Sequence, residues 1–135
     1  MSSHELALQK ALIAHLSEDL AVRALLGDPA RIWDAVPVEA ELPHLIIGRC
    51  ESRPIQADGG GVEHRLTLTV VSRFRGTEEA KAVLAAVRFR LTDVRVEADG
   101  VRAVSLGVVF ADVFPAADGA RTYAVLRVRA VTEEV

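Results

Sequence analysis

The sequence predicts an α+β protein, a two-layer domain with an antiparallel-rich β-sheet and helices packed on one face. Three observations lead there. The first is the stretch from His64 to Leu91, which alternates and then changes period. Leu66, Leu68, Val70 and Phe74 fall on one side, and Arg65, Thr67, Thr69, Arg73 and Arg75 fall on the other, the pattern of a half-buried strand. Gly76 interrupts it, Thr77 is a helix-capping residue, and Glu78 and Glu79 suit the positive end of a helix dipole. Ala80, Val83, Leu84, Val87 and Leu91 then form one apolar stripe. Strand and stripe each need covering, and the short connection lets them cover each other. The second observation is a strand from Arg121 to Val131, with Ala124, Leu126, Val128 and Ala130 inward and Tyr123, Val125, Arg127 and Arg129 opposite. The third is Asp99-Gly100 between two apolar-rich runs, the mark of a hairpin turn.

The remaining elements follow in order. Ser2 and Glu5 have the spacing of a capping box, opening a helix marked by Leu6, Leu8, Leu12, Ile13 and Leu16. Ser17-Glu18-Asp19 caps a shorter helix through Leu20, Leu25 and Leu26, which Gly27 closes. Gly27-Asp28-Pro29 is a turn, Arg31 to Asp34 a short extended segment, and Pro37 and Pro43 bracket a loop. Leu45 to Glu51 reads as a strand with Leu45 and Ile47 on one face and Ile46 and Cys50 on the other. A connection from Ser52 to Gly61, containing three consecutive glycines, leads to the 64–75 strand. In the hairpin arm after Gly100, Val104, Leu106, Val108 and Phe110 share a face, and Pro115 to Gly119 is a second turn. No repeat or linker divides residues 1–135, which are expected to form one domain.

Composition narrows the function. A net charge of −3 argues against a general nucleic-acid binder, which needs a basic footprint. All but Lys10 and Lys81 of the 16 basic residues are arginine, a bias compatible with an interface-rich surface and with a GC-rich genome alike. The one cysteine, Cys50, excludes an internal disulfide and a cysteine-based zinc site, and its apolar neighbours predict a buried, inert thiol. No run approaches the roughly 20 apolar residues of a membrane span. The start of the chain lacks the pattern of a signal peptide, so synthesis and folding in the cytoplasm are expected.

No constellation for catalysis stands out. His4 and His15 lie about three helical turns apart, too far to share a metal. His44 and His64 are on different strands and could meet across the sheet, without other ligands at metal spacing. Asp112 lacks an evident nucleophile or partner. Asp58-Gly59-Gly60-Gly61 lacks the Lys-Ser/Thr of a phosphate loop and leads into a strand rather than a helix. No catalytic, cofactor-binding or metal residue is therefore expected. The features left for binding are the glycine-rich connection, with Arg53, Asp58, Gly59, Gly60 and Gly61, and the polar sheet face, with Arg73, Arg75, Arg127 and Arg129. Charge reversal at Arg127 and Arg129 is expected to leave folding nearly untouched and to impair assembly.

Five short patterns in order carry a resemblance. They are Ala21-Val22-Arg23-Ala24-Leu25-Leu26-Gly27-Asp28, Arg31-Ile32-Trp33-Asp34-Ala35-Val36-Pro37, Leu42-Pro43-His44-Leu45-Ile46-Ile47-Gly48, the block Glu63 to Ser72, and Ala120 to Ala130. Together, over about Leu6 to Glu133, the chain resembles the tail terminator (tail completion) proteins of long-tailed phages and phage-derived gene transfer agents. His44 departs from the aromatic residue common in such proteins, which bears on packing rather than role. The resemblance implies a structural, non-enzymatic subunit without cofactor or membrane contact. Such a subunit forms a homo-oligomeric, sixfold ring on the last ring of tail-tube protein, stops tube growth and presents a surface to the head–tail connector proteins. DNA passes through without specific binding, and the absence of a strongly basic character agrees with that. Two alternatives remain open: another head–tail connector or adaptor component, and a small binding module unrelated to phage.

Overall fold

Among the described residues every strand pairing but one is antiparallel, and the exception is a two-residue strand at one edge of the sheet. The computed structural model describes residues 3–56, 60–73 and 76–135. In chain order the elements are α1 (His4–Ser17), α2 (Leu20–Leu26), β1 (Ile32–Trp33), β2 (His44–Pro54), β3 (Val62–Ser72), α3 (Glu78–Arg90), β4 (Glu97–Ala98), β5 (Val101–Pro115) and β6 (Thr122–Glu134). They build one six-stranded sheet in the order β1-β2-β3-β6-β5-β4, with β1 parallel to β2. The α+β architecture expected from the periodicities is the one observed.

The core lies between one sheet face and the helices. Leu66, Leu68 and Val70 of β3 and Ala124, Leu126, Val128 and Ala130 of β6 are buried there, with Leu8, Leu12 and Leu16 of α1 and Val83, Leu84 and Val87 of α3. The inward set on β6 and the α3 stripe are as the alternation predicts. The α1 stripe is turned from its expected position: Leu6 is half exposed, and Ala7 and Ala11 take the core positions beside Leu8 and Leu12. In α2 Leu20 is 75% exposed while Val22 and Leu26 are buried. Small alanines let a helix approach the sheet closely, so apolar bulk alone misplaces the stripe.

The caps also differ in detail. Ser3, not Ser2, caps α1, its Oγ accepting from the Leu6 amide at 3.2 Å, and Ser2 lies outside the described residues. Glu5 accepts instead from the Ser52 hydroxyl at 2.7 Å, tying α1 to β2. Asp19 caps α2 by accepting from the Val22 amide at 3.0 Å. Thr77 precedes α3 without a side-chain cap bond. Glu79 faces back instead, accepting from the Ser72 hydroxyl at 2.9 Å and so joining the first turn of α3 to the end of β3.

Bulges change which residues share a face. In β2 Ile47 pairs with Leu68 and Cys50 with Leu66, so three steps on one strand match two on the other. Cys50 is thereby brought to the helix side of the sheet, the same side as Ile47, and it is exposed rather than buried. In β5 Val108 pairs with Val128 and Phe110 with Arg127, leaving Val109 as the extra residue. Phe110 is thus on the face opposite Val108, a correction to the shared face that uninterrupted alternation implies. The β2–β3 hairpin is longer than expected, since the two strands stay paired out to Pro54 and Val62, whereas the first arm of the Asp99-Gly100 hairpin is only Glu97–Ala98. The Asp99-Gly100 turn is as predicted, with φ of 51° and 76°, the left-handed pair a two-residue hairpin needs.

Candidate functional site

The sheet face turned away from the helices collects the polar residues of β2, β3 and β6. Pairing places Arg53, Glu63 and Val131 in one row, Glu51, Arg65 and Arg129 in the next, and Thr67 with Arg127 and Phe110 in the third. Glu63 is the hub. It accepts from Arg53 Nε at 2.8 Å through one carboxylate oxygen and from Arg129 Nε at 2.8 Å through the other. Arg65 stands at 4.0 Å. Only 9% of the Glu63 side chain is exposed, so this charge depends on its partners. The Arg129 hydrogen bond first, and the Arg53 hydrogen bond second, hold the Glu63 carboxyl below the ordinary carboxylate range. A shallow open depression runs along this group, lined by Glu51, Ser52, Arg53, Glu63 and Arg65.

Beyond the arginine–glutamate group the face becomes apolar. The Arg127 guanidinium lies 4.9 Å from the centre of the Phe110 ring. Phe114 meets Tyr123 edge to face at 5.9 Å. Val109 and Phe110 are 60% and 45% exposed, and Phe114 is 37% exposed. At the far side Trp33 packs on His44 at 5.4 Å, and His44 Nδ1 lies 2.9 Å from the Glu41 carbonyl.

The residues expected to form an interface therefore divide. Arg53 belongs to β2 rather than to the loop and meets Arg129 across Glu63. Gly60 and Gly61 lie in the β2–β3 connection, whereas Asp58 and Gly59 fall outside the described residues. Arg73 sits just past β3, on Glu79 at 3.2 Å and the Leu42 carbonyl at 3.4 Å, and Arg75 is outside the described residues. Arg127 and Arg129 do share the outer face, but only Arg127 is free of an ion pair among the described residues. Reversal at Arg129 would set two carboxylates together, so it is not neutral for folding. Glu63 is the residue that alternation had within reach: it has the same parity as Arg65 on β3, and its rank emerges only when β2 and β6 align beside it.

A second polar group lies on the helix side, at the end of the sheet near α1. Thr132 Oγ1 is 2.7 Å from His4 Nδ1 and 2.8 Å from His64 Nε2. One hydroxyl carries a single proton, so it donates to one ring and accepts from the other. His64 is fully buried and its Nδ1 has no hydrogen-bond partner among the described residues. His44 and His64 do not meet, because pairing puts them on opposite sheet faces. Among the described residues no group of three or more His, Cys, Asp or Glu side chains is arranged to hold a metal ion. No described helix is long and apolar enough to cross a membrane.

The family model described as tail completion protein gp17 matches residues 10–133. A chain in the structure titled "Virion of native gene transfer agent (GTA) particle" superimposes with a TM-score of 0.85 and 26% identity, over 98% of this chain and 99% of that one. No curated protein matches. With nearly its whole length accounted for by that family model, the chain belongs to the tail completion protein gp17 family and is a structural tail protein of phage type.

Proposed function

We propose that the protein closes the growing tail tube: copies assemble as a ring, six by the family resemblance, on the last ring of tube protein and there meet the head–tail connector proteins. The family match over residues 10–133 carries this reading. The outer sheet face supports it, since an ion-paired arginine group beside exposed Val109, Phe110 and Phe114 is the mixture of charge and apolar surface found at protein interfaces. A ring subunit contacts its neighbours head to tail, with contacts that close by rotation, so the two sides of each copy are specialised differently. The role is structural and requires no cofactor or nucleotide. DNA passes the ring without being held, in keeping with a net charge of −3.

Removal of the gene tests the proposal. The expected result is DNA-filled heads unjoined to tails, with free tubes overlong or scattered in length. Protein supplied in trans restores joining without any added small molecule. Tails of normal length attached to heads would sink the reading. DNA leaking from heads before tails attach would transfer the protein to the connector class.

A further inference from the structure

The two long edges of the sheet are left open over matching stretches. On one side β1 covers β2 only at Leu45 and Ile46. From Ile47 to Pro54 the outer edge of β2 has no ladder partner among the described residues. On the other side β4 covers β5 at Val101 and Arg102, and the Ala103 amide adds one bond to the Val96 carbonyl. From Val104 to Pro115 the outer edge of β5 likewise has no ladder partner among the described residues, and only its first residues, Val104 to Leu106, have Asp93, Val94 and Arg95 alongside, across a shared cavity. Unpaired strand edges are the default template for adding another strand, and proteins that stay monomeric blunt them. The β5 edge is poorly blunted: from Val104 to Pro115 it carries one charged residue, Asp112, and it exposes Val109, Phe110 and Phe114.

Following the pairing across the sheet shows that the bare stretches stand level. The row through Ile47 runs Leu68, Leu126, Ala111, and the row through Cys50 runs Leu66, Val128, Val108. The row through Ser52 runs His64, Ala130, Leu106. The extra residues of β2, at Gly48 and Arg49, and of β5, at Val109, fall in the same row, that of Thr67 and Arg127. Both edges therefore bend along one line. Strand direction fits too. From β2 through β3 and β6 to β5 each step is antiparallel, so β5 runs opposite to β2. A second copy set beside the first with the same orientation offers its β2 antiparallel to β5, and the alternation continues without a break. Across that seam, Arg49 of the added copy, which pairs with Glu51 of its own chain at 3.3 Å, lies one diagonal step from Asp112, which is exposed and makes no ion pair among the described residues.

We propose that copies of this chain join edge to edge, β5 of one pairing antiparallel with β2 of the next over residues 104–111 and 47–53, so that the sheets merge into a continuous wall. The partner is a second copy of this chain, and the inference rests on the ring reading given above. It deepens that reading by naming the seam. β1 and β4 act as stops that confine pairing to the open stretches and so limit the register.

The single cysteine makes the seam directly testable. Cys50 is on the β2 edge, level with Val108. In the full chain carrying Val108→Cys, mild oxidation or a short bismaleimide should link neighbouring copies into a ladder of covalent multimers. Leu106→Cys and Ala111→Cys bracket the row on either side and cover a stagger of one step. The same chains with Cys50→Ser, and a Phe89→Cys chain with the exposed α3 position changed, should give no ladder. Unmodified protein supplies an independent reading: on assembly, amide hydrogen exchange should slow by roughly tenfold or more across 47–53 and 104–111. If the protein sediments as a closed oligomer while no β5 position links to Cys50 and neither stretch gains protection, the edge seam is wrong and the ring stands. If it stays monomeric even when bound to tail tubes, the ring reading fails and takes the seam with it.

Discussion

His64 lies wholly inside the protein, with Thr132 on one ring nitrogen and no hydrogen-bond partner for the other among the described residues. Burial pushes its pKa below the ordinary histidine value, against a pull upward from Glu5 and with a further push down from His4. The unfolded chain therefore binds a proton below about pH 6.5 that the folded chain refuses, and stability falls as pH drops through that window. The melting temperature should decline from pH 7 to pH 5, and His64→Gln should flatten the slope whatever it does to the value at pH 7. Glu63 and Glu5 have lowered values, so the stability they contribute is lost only further into acid, as pH falls below the ordinary carboxylate range. At neutral pH Glu63→Gln should lower the melting temperature more than Glu51→Gln, because Glu63 is the shielded charge between Arg53 and Arg129 whereas the Glu51 side chain is 63% exposed. A thermal melt of the two variants decides this, and equal shifts would contradict it.

At the scale of elements, local chemistry that acts within one turn was the most legible in the sequence. Gly27 closes α2 and Asp99-Gly100 forms its hairpin turn, because both need left-handed backbone that few residues accept. The alternation of β6 survives intact because the extra residues of the sheet lie on β2 and β5 and none on β6. What was not legible depends on a partner strand. The extra residues at Gly48–Arg49 and at Val109 leave no mark in their own composition, yet they decide that Cys50 turns toward the helices and Phe110 away from them. Side-chain caps fall between these cases, since candidates are visible and only geometry selects among them. Asp19→Ala should cost about 1 kcal/mol in urea unfolding, as it removes the bond to the Val22 amide. Thr77→Ala should cost clearly less, because Thr77 makes no such bond and Glu79 secures the start of α3.

Across the whole molecule the strands set two ends apart. The β2–β3 connection, residues 55–61, leaves the sheet where Pro54, Val62, Thr132 and Ala103 share a row. The β5–β6 connection, residues 116–121, leaves it where His44, Val71 and Tyr123 lie near Pro115 and Thr122. The two loops, which the order of elements alone could have turned toward one neighbour, thus stand at opposite ends of the same sheet. In a ring whose axis runs with the strands, one loop set would face the tube and the other the head. In the ring proposed above, that division would rest on a physical separation of about 30 Å or more, since strands of this length rise roughly 3.3 Å per residue. Shortening residues 55–61 to a tight turn and, separately, replacing 116–121 with a different turn should leave the core intact, as both changes lie outside the paired rows. Complementation of a gene deletion should then give two different failures: one variant leaving tubes overlong or scattered in length, the other giving tubes of normal length that do not join heads. Electron microscopy of the lysates reads both properties in the same field. Should the two variants, each folded by its melting curve, fail in the same way, the assignment of opposite ends to opposite neighbours is wrong.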